Sequence, residues 1–118
     1  MVEPRSAYRI EETFSLTASG GSTAIDCRYY SGGSYQLTWS GLTGTTGTII
    51  PQVSNDGVTW YDLDNYWEDV AYTLSTAAGS QMWLVTTVPA RYIRLYYTAN
   101  GNTTGTSTLL WEGNRVDL

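Results

Sequence analysis

Residues 35–63 read YQLTWSGLTGTTGTIIPQVSNDGVTWYDL, and this stretch decides the fold class. Side chains two apart on a strand point the same way, so Tyr35, Leu37 and Trp39 share one face, with Gln36 and Thr38 on the other. A Thr/Gly-rich loop over 41–48 leads into Ile49-Ile50-Pro51-Gln52-Val53. Two adjacent isoleucines predict a strand buried on both faces or bulged, and Pro51, lacking a ladder N–H, predicts an edge position or a bulge. Asn55-Asp56-Gly57 follows: Asn and Gly tolerate positive φ, and Asp bonds its own nearby backbone. These residues predict a turn joining the Ile49–Val53 strand to the Trp60 strand, with Trp60 packed under the hairpin.

The same punctuation recurs along the chain at Gly20-Gly21, Gly32-Gly33, Ala78-Gly79 and Asn100-Gly101-Asn102. Strands are expected at 8–17, 23–30, 34–40, 47–54, 58–63, 70–74, 81–88, 91–98 and 106–112. In the run from 91 to 97, Ile93, Leu95 and Tyr97 face inward, while Tyr92, Arg94 and Tyr96 face outward, where Arg94 can stack on an aromatic ring or pair with an acid. Residues 64–72, DNYWEDVAY, form either one helical turn or a loop carrying aromatics. The expectation is an all-β chain: an antiparallel β-sandwich, jelly-roll or discoidin-like, of eight or nine strands. Residues 1–7 are expected to form an extended arm and residues 8–118 a single domain.

Composition narrows the function. Charged residues are 14% of the chain and the net charge is −5, with no Lys and no His. The six cations, Arg5, Arg9, Arg28, Arg91, Arg94 and Arg115, are too few to build a phosphate-neutralising face, which argues against nucleic acid and anionic membrane surfaces. No run of about 18 apolar residues is present. The polar start MVEPRSAYRIEE has no signal-peptide pattern, so the expectation is a small open reading frame beginning at Met1. The single cysteine, Cys27, lies in the alternating run Ile25-Asp26-Cys27-Arg28-Tyr29 and reads as a small core hydrophobe.

The carboxylates Asp62 and Asp64 project on one side of an extended strand, and Glu68-Asp69 follow. Such a pair could serve glycoside hydrolysis or a hard cation such as calcium, but the first expectation is solvated charge at a strand end and loop. Without His or a specific constellation, no enzyme activity and no cofactor are expected. The aromatic cluster Trp60, Tyr61, Tyr66, Trp67 and Tyr72 flanks a turn and an acidic loop. It suits sugar-ring stacking and a protein interface alike, since Trp, Tyr and Arg dominate interface hot spots.

Two motifs occur in order: Gln52-Val53-Ser54-Asn55-Asp56-Gly57-Val58-Thr59-Trp60, then Ala90-Arg91-Tyr92-Ile93-Arg94-Leu95, followed by a Gly/Thr-rich hairpin and Thr108-Leu109-Leu110-Trp111. Over residues 35–112 this order is similar to small bacteriophage structural proteins of β-sandwich fold, found in tail, head-fibre and capsid-decoration contexts. It also resembles discoidin-type (F5/8 C) domains, in which an S-x-DG-x-x-W hairpin precedes an ARY-[IV]-R strand. The resemblance implies a virion structural protein, made in the host cytoplasm and incorporated into the particle. Its expected partners are other virion proteins, through oligomerisation, with a trimer as the first expectation, and docking. The alternative is a carbohydrate-binding, receptor-reading module. The candidate surfaces are the N-terminal arm, the 60–72 aromatic loop and the 100–106 hairpin tip.

Overall fold

The computed structural model describes residues 7–43, 47–63, 71–85 and 90–115. Ten strands follow in order: β1 (Ala7–Ser15), β2 (Gly20–Gly21), β3 (Ile25–Asp26), β4 (Tyr30–Thr43), β5 (Thr48–Ser54), β6 (Tyr61–Asp62), β7 (Tyr72–Thr73), β8 (Gly79–Val85), β9 (Tyr92–Thr98) and β10 (Thr104–Arg115). They build two antiparallel sheets. The first has the order β1-β10-β4-β8; in the second, β2 and β3 both lie on β9, β9 pairs β5, and β6 and β7 both lie on β5. Taking β2 with β3, and β6 with β7, as two interrupted edges leaves four strand positions per sheet. The chain changes sheet at every step except from β5 to the β6/β7 edge, which is the path of a jelly roll.

Alternation puts one face of each sheet into the core. Ile10, Trp111, Tyr35 and Trp83 stand side by side across all four strands of the first sheet. Opposite them, Ile49, Pro51 and Val53 of β5 lie beside Tyr97, Leu95 and Ile93 of β9. Tyr35, Leu37, Trp39, Ile93, Leu95 and Tyr97 are all buried. Tyr35 packs 4.8 Å from Trp111 between ring centroids, and burial pushes its phenol pKa far up. Tyr97 is held by its hydroxyl, 2.9 Å from both Leu16 O and Asn102 Oδ1.

Three local expectations are corrected. The strand expected over 23–30 is cut short: β3 covers two residues, and Cys27–Tyr29 turns as a 3-10 helix capped by the Asp26 carboxylate. Gly32-Gly33 is not a turn but lies inside β4, because Gly33 sits against Trp111; a Cβ there would fall 2.5 Å from the indole Cη2. Pro51 is not on an edge strand. Leu95, its partner on β9, directs its N–H and C=O to Ser22, so Pro51 and Leu95 do not exchange ladder bonds. The proline nitrogen therefore faces the other side, into the gap between β7, which pairs Thr48 and Ile49, and β6, which pairs Gln52 and Val53. The interrupted edge accommodates the missing donor. The arm expected over 1–7 lies outside the described residues apart from Ala7, which begins β1.

Candidate functional site

The outer face of the second sheet brings both sequence motifs together. The turn after β5 is built from side chains. Ser54 Oγ accepts the N–H groups of Asp56 (3.2 Å) and Gly57 (2.9 Å) and donates to Asp56 Oδ1 (2.9 Å). The same carboxylate oxygen accepts from Val58 N (2.8 Å) and Thr59 N (2.9 Å). These backbone donors, Thr59 first, hold the Asp56 pKa below the ordinary carboxylate value. Gly57 takes φ 76°, the left-handed conformation that closes the turn without a side-chain clash. Asn55 Oδ1 accepts Arg91 N at 3.1 Å, which ties the turn to the start of β9.

The turn delivers Trp60 to the outer face rather than beneath the hairpin. Arg94 stacks over it with the guanidinium carbon 4.1 Å from the ring centroid, and also lies 5.1 Å from the centroid of Tyr96. Arg94 Nε and Nη2 donate to Gln52 Oε1 at 3.0 and 2.9 Å, and Gln52 Nε2 donates to Asp62 Oδ1 at 2.9 Å. The register explains this chain: Arg94, Gln52 and Asp62 are direct neighbours on β9, β5 and β6. On the other side Gly21 of β2 makes room, since a Cβ there would meet Arg94 Nη1 at 2.8 Å. Partial burial lowers the Arg94 pKa, while Tyr96 works against that. One strand end away, Arg91 lies 5.0 Å over the Tyr92 ring, and Asp26 binds Arg28 (2.9 Å) and Arg91 (3.5 Å).

Tyr61 is 65% exposed and Val58 81% exposed, but Tyr61 pairs with inward-facing Val53 and so leaves the β6 edge on the side opposite Asp62 and Arg94. Tyr72 turns elsewhere: its ring is 5.8 Å from Trp39 and 6.4 Å from Trp83, among the core aromatics. Tyr66, Trp67 and Asp64 lie outside the described residues, as do Glu68 and Asp69. Asp62 is engaged by Gln52. Cys27 is half-buried against the core, and burial, with the Asp26 charge second, pushes its thiol pKa up to about 11. The thiol is protonated at neutral pH, which suits packing and not nucleophilic attack.

Two functional features escaped the sequence reading. Gln52, the partner of Arg94, sits forty-two residues away and is located only by the β5–β9 register. Glu12 stands in the inward-facing parity of β1, between Ile10 and Phe14, and accepts from Thr23 N (2.9 Å) and Thr23 Oγ1 (2.7 Å). A carboxylate in the apolar phase of an alternating strand was the available signal. Beside it a cleft of about 430 Å³ opens between β1 and β2, lined by Glu12, Phe14, Ser15, Ser19 and Ser22 among others. What the outer face of the second sheet offers chemically is a pre-shaped aromatic and guanidinium surface whose polar groups are already bonded to one another. No protein-family model matches this chain, and no curated protein matches it.

Proposed function

We propose that this chain is a bacteriophage virion structural protein, a capsid-decoration or head-fibre/tail accessory subunit that acts by oligomerisation and docking. The observation that carries the reading is the Trp60–Arg94–Tyr96 stack on the outer sheet face. Trp, Tyr and Arg are the residues that anchor protein interfaces. Here Arg94 is already fixed by Gln52 and two rings, so docking loses little side-chain entropy. Among the described residues, Glu12, Asp26, Asp56 and Asp62 each hold a structural partner. The test is particle binding. Purified protein mixed with virions lacking it should co-sediment with them, and Trp60→Ala should weaken that binding at least roughly tenfold, as an interface anchor does. Failure of the wild-type protein to bind particles would refute the proposal.

A second reading rests on Tyr61, an exposed ring on the β6 edge of the kind that stacks on a sugar ring. On a glycan array this reading expects a discrete set of host-surface sugars, lost in Tyr61→Ala. An array with no signal, together with full particle binding, rejects it.

A further inference from the structure

A β-sandwich has four sheet edges, and a bare edge offers unpaired N–H and C=O groups to any other strand. Three edges of this molecule carry a protecting device. The β1 edge bears Arg9, Glu11 and Glu12, the last pointing inward and tied to Thr23. The β2/β3 edge and the β6/β7 edge are each broken into two-residue pieces. The fourth edge, β8, has none of these. It runs seven residues as GSQMWLV, with no charge and no proline, and its register on β4 is unbroken from Gly33–Val85 to Trp39–Gly79. Among the described residues no strand pairs with its outer side. Two of its outward side chains are large and apolar: Met82 is 51% exposed and Leu84 72% exposed.

We propose that β8 is the docking edge for a second copy of this chain, the two β8 strands pairing antiparallel about a two-fold axis at Met82. In that register Met82 faces the partner's Met82, and Ser80 faces the partner's Leu84. Outward side chains meet outward side chains, so the two first sheets join into one of eight strands without reversing either core face. The charge pattern favours this occupant. The chain carries −5, yet Ser80, Met82 and Leu84 of β8 and Ser34, Gln36, Thr38 and Ser40 of adjoining β4 are all uncharged. Two copies meet there with no like charges opposed. Pairing β8 with the partner's β1 instead would be a head-to-tail contact that sets the apolar pair beside Arg9 and Glu11. The inference names a first partner for the docking reading above; its test uses the isolated chain, so its failure leaves particle binding to be judged separately.

Sedimentation velocity over a concentration series tests it. The wild-type chain should pass from monomer to dimer with a dissociation constant on the order of tens of micromolar, as a small interface predicts. Met82→Lys should weaken the dimer roughly tenfold or more, since it sets two cations directly opposite. Mixing Met82→Lys with Met82→Glu should restore association, which only a Met82–Met82 contact explains. Leu84→Lys is the second variant, and circular dichroism checks that each variant is folded. A wild-type chain that stays monomeric, a trimer that forms equally well with Met82→Lys, or no recovery in the mixture would each overturn the proposal.

Discussion

Asp56 is fully exposed, yet its carboxylate accepts two backbone N–H groups and a hydroxyl within one turn. Its folded pKa is depressed, so its contribution to stability is present above the unfolded carboxylate value of about 3.9 and is lost as pH falls through the lower folded value. Thermal melts of wild type and Asp56→Ala should therefore differ clearly at pH 7, and the gap should close as pH drops well below about 4. A pH-independent gap would contradict this role. The turn itself was legible in Asn55-Asp56-Gly57, and Ser54 stood at the head of the S-x-DG-x-x-W motif, but the bonds its hydroxyl accepts from the N–H groups of Asp56 and Gly57 were not legible. Tyr97 makes the buried counterpart. Its hydroxyl bridges Leu16 O and Asn102 Oδ1 in the core, and Tyr97→Phe leaves Leu16 O without that donor. The expected cost is about 1–3 kcal/mol, read from urea unfolding.

Glycines separate the readable from the unreadable elements. Period-2 alternation made the inner faces of β4 and β9 plain, since Tyr35, Leu37, Trp39 and Ile93, Leu95, Tyr97 all lie buried as that spacing requires. Gly32-Gly33 looked like a turn because glycine is a turn former, and nothing local distinguishes it from a glycine that makes space for a ring. Only the neighbouring strand does: Gly33 lies under Trp111, with the Glu112 carbonyl 2.7 Å from where a Cβ would be. The Trp60–Arg94 contact was hidden for the same reason, since it depends on strands pairing in one register rather than on spacing along the chain. Element-level substitutions can test the distinction. Gly33→Ala should cost about 1–3 kcal/mol, because the ring and a backbone carbonyl both block the methyl group. Gly20→Ala has nothing within 4 Å of the new atom and should be neutral or stabilising by about 0.4–1 kcal/mol. Equal effects at the two sites would show that turn propensity, not ring clearance, governs Gly33.

The jelly-roll path makes the C-terminal strand the centre of the molecule. β10 lies between β1 and β4, pairing Ser15 with Thr106 and Thr43 with Thr104, so it joins segments that start far apart in the chain. It brings Leu109 and Trp111 into the core, each 2% exposed. β1 pairs with no other described strand, so removing β10 also releases β1 and bares the inner edge of β4. No local pattern in the sequence announces this dependence; it arises from closing two sheets around strands drawn from both halves of the chain. Such long-range pairing predicts refolding on the millisecond-to-second scale, because loop-closure entropy is lost before non-local contacts offset it. It also predicts that a chain ending at Asn102 has no fixed core. That fragment should lack near-ultraviolet circular dichroism from its buried tryptophans and show no cooperative melt. By contrast, Leu109→Ala in the full chain should melt cooperatively, with a loss of about 2–5 kcal/mol. Adding a peptide of residues 103–118 to the truncated chain should return the near-ultraviolet signal, since the vacated slot between β1 and β4 is specified by the inner-face register of both neighbours. A truncated chain that melts cooperatively by itself would show that the second sheet, and not β10, organises the fold.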